Sequence, residues 1–108
     1  MEKLTVKEIY NKAKKDHRKA YEIVKLRLDD ELISAIDDLV VLAVNMNLSL
    51  EELLSGKYDP LFETTIEIVL KGRGNDCGSG LICWNVVRQI EKKYITAAYN
   101  FVVAGRNL

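Results

Sequence analysis

The sequence predicts an all-α fold, a compact bundle of four to five helices that includes a long apolar C-terminal helix. Apolar side chains recur every three or four positions from Tyr10 to Phe101, which is the repeat of one face of an α-helix. Residues that cap helix starts precede four of these runs, and a glycine-rich stretch at residues 72–80 interrupts them. We therefore expect residues 1–108 to form a single helical domain.

The first helix is expected at residues 6–28, with Thr5 and Glu8 as a capping box at its start. The positions that should face the interior are Tyr10, Ala13, His17, Ala20, Val24 and Leu28. The opposite side is basic and carries Lys12, Lys14, Lys15, Arg18, Lys19 and Lys25. His17 is the only histidine of the chain, and its place on the apolar side predicts a structural residue in or beside the core.

The next two helices are expected at residues 30–47 and 50–55. Asp29 or Asp30 can cap the first of them. No glycine or proline separates it from the preceding helix, so one long bent helix is an alternative. Ser49 and Glu52 form a second capping box, and Gly56 is well placed to end the short helix.

A further helix is expected at residues 60–71. Asp59 and Pro60 signal its start, because aspartate caps helices and proline fits their first position. The segment is also rich in β-branched residues, which favour strands, so helix and strand both stay open for residues 61–71. These β-branched residues include Thr64, Thr65, Ile66 and Ile68.

Residues 72–80 hold four of the six glycines and predict a flexible loop. The last helix is expected at residues 80–104 and is apolar over more than half of its circumference. Its large aromatic residues are Trp84, Tyr94, Tyr99 and Phe101. Such a helix is either the central helix of the core or the interface of a homodimer.

Net charge is zero, but the charges are separated along the chain. Residues 1–28 carry nine Lys and Arg against four acids, and residues 29–67 carry one Lys against ten acids. Residues 68–108 again have a basic excess, with six Lys and Arg against two acids. Either the basic and acidic helices pack side by side and neutralise each other, or they present charged faces to a partner.

The composition is that of a globular protein of the cytoplasm. Apolar residues make up 48% and charged residues 30% of the 108 residues. Two cysteines are too few for a disulfide-stabilised secreted domain, so we expect free thiols in a reducing compartment. The chain has neither the apolar run of about 20 residues that a membrane span needs nor the apolar start of a signal peptide.

The sequence lacks complete catalytic, cofactor or metal motifs. In the glycine-rich stretch, Cys77 stands where the dinucleotide-binding fingerprint needs its third glycine, and no Gly-Lys-Ser/Thr follows. A single histidine does not support the commoner zinc sites, and Cys77 and Cys83 do not have metal-ligand spacing. We therefore predict no catalytic residue, no cofactor and no metal.

Three short stretches resemble part of the MazG-type nucleotide pyrophosphohydrolases, namely residues 30–32, 36–43 and 48–54. This resemblance implies an all-helical enzyme that hydrolyses nucleoside triphosphates with magnesium held by carboxylates. The family places Glu-x-x-Glu on one helix and Glu-x-x-Asp on the next. Here alanine and serine stand three residues before Asp38 and Asp37, and Lys25 stands three residues after Glu22. Both metal-holding pairs are incomplete in this sequence. A degenerate or divergent nucleotide pyrophosphohydrolase of the MazG type is therefore only the second alternative function.

The predicted function is that of a small non-enzymatic binding or regulatory protein that acts on a protein partner. Its length and charge separation are typical of phage and mobile-element proteins that inhibit host systems. The residues predicted to contact the partner lie on the acidic helices or in the loop, and they are Asp37, Asp38, Glu51, Glu52, Arg73, Asn75 and Asp76. The apolar and aromatic surface of the last helix adds a homodimer as a further expectation.

Nucleic-acid binding is the first alternative. The residues that would contact phosphates are Lys14, Lys15, Arg18 and Lys19 on the basic side of the first helix. Residues 47–54 resemble the closing helix of repressor-type helix-turn-helix domains. Their surroundings are strongly acidic, which is the wrong sign for contact with DNA.

Overall fold

A computed structural model of the protein describes residues 3–28, 30–63 and 84–108. All regular secondary structure in these ranges is helical, which confirms the predicted all-α fold class. The helices are α1 (Val6–Lys25), α2 (Asp30–Asn45), α3 (Leu50–Ser55), α4 (Trp84–Ile90) and α5 (Lys92–Arg106). Residues 59–63 are helical as well.

Local capping determines where α1 begins and ends. The Thr5 hydroxyl accepts a hydrogen bond from the backbone N–H of Glu8 at 3.1 Å, as its cap position predicts. At the other end, the N–H of Leu26 turns back to the carbonyl of Ile23, and the helix stops at Lys25 rather than at residue 28. Thus α1 and α2 are separate helices, and the alternative of one long bent helix is wrong.

Arg106, the last residue of α5, caps the C-terminal end of α2. Its guanidinium donates to the carbonyl of Val44 at 3.2 Å and to the side-chain oxygen of Asn45 at 2.7 Å. A cation at this end is favourable, because the last carbonyls of a helix carry partial negative charge. Beyond it, Asn47 adopts a left-handed φ of 60°, which turns the chain towards α3.

A capping box and a glycine delimit α3, as the sequence predicts. Ser49 and Glu52 exchange side-chain to backbone hydrogen bonds of 3.0 and 3.1 Å. Gly56 follows at a φ of 88°, a conformation that favours glycine. The guanidinium of Arg88, in α4, stabilises the turn after α3. It donates to both carboxylate oxygens of Asp59 and to the carbonyl of Leu54, each at 2.9 Å.

The described part of the predicted helix 80–104 consists of two helices that meet at Glu91. The N–H of Glu91 still bonds to the carbonyl of Val87, and its carbonyl accepts from Ile95. The backbone at Glu91, with φ −101° and ψ 29°, departs from helical geometry. Its side chain is buried and accepts a hydrogen bond from Arg27 at 2.7 Å.

The core forms where α5 packs against both α1 and α2. Ring contacts show that α1 and α5 are antiparallel: Tyr10 lies against Phe101, and His17, further along α1, lies against Tyr94. The buried apolar side chains come mostly from α2 and α5, together with Phe62 and Trp84. The last helix is therefore the central helix of the core, one of the two roles that its apolar surface allows.

Several sequence predictions lie outside the described residues. They include the glycine-rich loop 72–80 with Arg73, Asn75 and Asp76, and the helix-or-strand alternative beyond residue 63. Within the described ranges, each helix is too short or too polar to cross a membrane.

Candidate functional site

Two of the four predicted contact acids on the acidic helices have structural roles. Asp37 is half-buried and accepts a hydrogen bond from the Tyr94 hydroxyl at 2.5 Å. Glu52 caps α3 through Ser49, and these hydrogen bonds lower the pKa of its carboxyl group. Both carboxylates already have partners within the protein, so the four acids do not form one exposed acidic site.

The remaining acids lie on the outside of the molecule. Asp38 and Glu51 are exposed, as are Asp30 and Glu31 at the start of α2. The ion pairs found within the described ranges are Arg27–Glu91 and Arg88–Asp59, and neither joins a lysine of α1 to an acid of α2. These two pairs therefore do not link the basic side of α1 to the acidic helix.

Asp37 belongs to a polar cluster that joins α1, α2 and α5. The Tyr94 hydroxyl lies between the Asp37 carboxylate and Nε2 of His17, which is 3.4 Å away. The His17 ring also packs against Phe101, with 5.0 Å between ring centres. This geometry connects three helices at one point and confirms that His17 lies beside the core, as the sequence predicts.

Burial dominates the electrostatics of this cluster. It lowers the pKa of His17, and the nearby Asp37 carboxylate opposes that shift. It raises the pKa of Asp37 although the hydrogen bond from Tyr94 acts the other way. It also raises the pKa of Tyr94, so the phenol keeps its proton and serves as a hydrogen-bond donor. The neutral form of the histidine is the one that the fold favours.

An open groove lies between α1 and α5. It consists of two adjoining depressions of about 590 and 450 Å³. The two depressions share Ala13, Asp16 and Asn100 as lining residues, so they follow each other along the helix pair. We call this feature the α1–α5 groove.

The floor of the α1–α5 groove is apolar and its edges are charged. Val6 and Ile9 keep 48% and 46% of their surface exposed, opposite Val103 and Ala104 of α5. The cations along the edges are Lys12, Lys92 and Lys93. Asp16 is the acid among the lining residues. The groove thus combines exposed aliphatic side chains with an excess of positive charge.

Helical spacing alone does not predict this groove, although α1 carries a signal for it. Val6, Ile9 and Ala13 follow each other at helical spacing, and Ile23, with 58% of its surface exposed, continues the same side of α1. This second apolar stripe runs beside the core stripe. A helix with a widened apolar side looks the same in sequence whether the extra residues are buried or exposed, so only the packing of α5 reveals the groove.

The four predicted phosphate-contacting cations all lie on the outer side of α1. Lys14, Lys15, Arg18 and Lys19 are exposed. They are adjacent at helical spacing, so their charges form one continuous surface. The four cations that the sequence predicts to contact phosphates therefore lie on one surface of the structure.

Within the described ranges, no group of three or more His, Cys, Asp or Glu side chains could hold a metal ion. Comparison with known proteins finds no matching family, curated protein or solved structure.

Proposed function

We propose that this protein is a small non-enzymatic binding or regulatory protein that acts on a protein partner through the α1–α5 groove. The supporting observation is the pair of half-exposed aliphatic side chains, Val6 and Ile9, at one end of this groove. Exposed apolar surface that is contiguous and has polar edges commonly marks a protein-binding site. An inhibitor of a host system, as phage and mobile-element proteins can be, would work by occupying such a contact.

The dimensions of the groove suit an α-helix of the partner. Its α1 wall runs from Val6 to Asp16, about 15 Å at 1.5 Å per residue, which is close to three helical turns. A helix that docks in a groove places apolar anchors at every third or fourth position along its contact side. Val6, Ile9 and Ala13 present the same spacing on this protein. The two sets of side chains can therefore interdigitate.

The charges of the groove specify the character of that helix. Lys12, Lys92 and Lys93 on the edges favour an amphipathic partner helix with acids beside its apolar anchors. Asp16 favours a hydrogen-bond donor or a cation at one central position. A basic partner would meet three like charges, so the groove discriminates by charge as well as by shape.

The α1–α5 groove lies apart from the acidic helices, on which the sequence predicts the contact. Asp37 and Glu52 are held by Tyr94 and Ser49, so charge reversal there would disturb the fold as well as any contact. Asp38 and Glu51 remain exposed and can add a second contact on another side of the molecule. The groove is the better first target, because it offers concave apolar surface for an interface.

The test uses a synthetic amphipathic helix with leucines at helical spacing and glutamates beside them. We expect it to bind and to shift the backbone NMR signals of residues 6–16 and 96–104. Ile9→Asp should abolish binding, because it places a charge on the apolar floor. The control Val41→Asp changes an equally exposed aliphatic residue, 42% against 46%, on the outer side of α2 and should leave binding unchanged.

Two results would contradict the proposal. One is equal binding of a peptide in which lysines replace the glutamates, since the edges of the groove would then have no influence. The other is a set of NMR shifts centred on α2 rather than on α1 and α5. Circular dichroism of both variants would confirm that each retains its helices.

A further inference from the structure

The outer side of α1, opposite its core contacts, is a second surface of distinct chemistry. We call it the basic face and define it by six exposed cations, which are Lys7, Lys14, Lys15, Arg18, Lys19 and Lys25. The acids on the same side are Glu8 and Glu22. The basic face therefore has a clear positive excess along the whole length of the helix.

The structure leaves this charge unneutralised. Neither of the ion pairs found within the described ranges includes a cation of the basic face. Lys25 lies over the ring of Tyr21, with 5.8 Å between its Nζ and the ring centre. The cations are exposed on a single rigid helix, so they can meet a ligand without a large change in backbone conformation.

From Lys7 to Lys19 the basic face carries no aliphatic or aromatic side chain that could anchor a protein, and its other residues there are polar, Asn11 among them. The exposed Ile23 and Leu26 lie towards its C-terminal end, beside Lys25. A helix that lies on a membrane needs exposed apolar side chains beside its cations, whereas the half-exposed Val6 and Ile9 of α1 lie in the α1–α5 groove rather than on the basic face. Phosphate groups, in contrast, need only cations and hydrogen-bond donors.

We propose that the basic face binds the phosphate backbone of a double-stranded nucleic acid without reading its sequence. From Lys7 to Lys25 the helix rises about 27 Å, a length over which duplex DNA presents about 16 phosphates. A straight row of cations matches this linear polyanion. The basic face does not include the α1–α5 groove, so this activity is independent of the proposed protein partner.

The experiment measures binding of a fluorescently labelled DNA duplex, and of an RNA duplex of the same length, at increasing salt. For four phosphate contacts the logarithm of the DNA affinity should fall with the logarithm of salt at a slope of about −3.6. Changing Lys14, Lys15, Arg18 and Lys19 to Ala should weaken binding at low salt by about tenfold or more and remove most of this slope. Alanine favours helix, so the fold should survive the change.

A matched pair of double variants distinguishes an effect of the basic face on binding from an effect of the net charge. Lys15→Ala with Lys19→Ala removes two exposed cations from the face, and Lys3→Ala with Lys57→Ala removes two exposed cations elsewhere. We expect only the first pair to reduce the salt slope, by about 1.8. A preference between the DNA and RNA duplexes would identify which of the two supplies the phosphates.

Three outcomes would overturn the proposal. The first is no binding to either duplex at low salt. The second is an equal loss of affinity in the two double variants, which would mean that overall charge alone is responsible. The third is tighter binding to vesicles of anionic phospholipid than to the duplexes, because the ligand would then be a membrane surface.

Discussion

Glu91 is the charged side chain that the fold buries most deeply within the described ranges, with 2% of its surface exposed. Its carboxylate accepts a hydrogen bond from Arg27, which follows the end of α1, at 2.7 Å. The pair joins the junction of α4 and α5 to a residue 64 positions earlier in the chain. A buried carboxylate without such a partner is costly, so this contact restricts how α1 can pack.

We predict that Arg27→Ala lowers the free energy of unfolding by about 1–3 kcal/mol, because it leaves the Glu91 carboxylate buried and unpaired. The effect is smaller than for a fully buried pair, since 52% of the Arg27 side chain is exposed. Urea denaturation would measure it. Arg18→Ala, on the surface of α1, should change stability by less than about 0.5 kcal/mol. Equal effects of the two variants would show that the ion pair does not matter.

His17 provides a direct probe of the polar cluster because it is the only histidine. Its pKa is lowered by burial, so the fold favours the neutral ring. The contribution of His17 to stability is therefore complete above pH 6.5 and is lost as the pH falls through its folded pKa. The contribution of Asp37 to stability depends on pH with the opposite sign. Its pKa is raised above 3.8, so this contribution is complete below pH 3.8 and is lost as the pH rises through its folded pKa.

An NMR titration of the His17 ring should give a midpoint below 6.5. Asp37→Asn should lower that midpoint further, because the Asp37 carboxylate stabilises the imidazolium. Asp38→Asn removes the neighbouring carboxylate on the exposed side of α2 and should have a smaller effect. A midpoint that rises in Asp37→Asn would contradict the geometry of the cluster.

At the scale of the element, α1 has three different sides. One side packs into the core, a second borders the α1–α5 groove, and the third is the basic face. A helix can separate these roles because successive residues turn by about 100°, so positions three and four apart share a side. A change on one side can therefore leave the other two intact, which is the basis of both binding experiments.

The two glycines in the described ranges, one at the end of α3 and one inside α5, lead to opposite predictions. A Cβ on Gly56 would lie 2.9 Å from Nη2 of Arg88, and the φ of 88° already disfavours alanine. Gly56→Ala should therefore destabilise the protein by about 1–2 kcal/mol. Gly105 lies within α5, where a Cβ would be an ordinary 3.6 Å from the Tyr10 ring. Gly105→Ala should stabilise by up to about 1 kcal/mol, because alanine favours helix.

Thermal unfolding of both glycine variants beside the unchanged protein would test these signs. The two substitutions add the same methyl group, so the comparison isolates the local backbone and packing. A gain in stability for Gly56→Ala would be inconsistent with its left-handed conformation and with the close approach of Arg88.

At the scale of the whole molecule, the separated charges of the sequence remain separated in space. The basic face of α1 and the exposed acids of α2 are not joined by an ion pair between them in the described ranges. A protein with zero net charge thus presents surfaces of both signs. If both proposals hold, the α1–α5 groove and the basic face allow the protein to hold a protein and a nucleic acid together.

The sequence by itself determined the helices of the described ranges and several of their ends. Caps such as Thr5, Ser49 and Gly56 act on neighbouring residues, and helical spacing is a property of adjacent turns. Only the tertiary structure decided which polar groups are internal. The contacts of Asp37 with Tyr94 and of Glu91 with Arg27 join residues far apart in the chain, and the α1–α5 groove exists only between two packed helices. Such contacts depend on how the helices pack against one another, which the local pattern of residues does not specify.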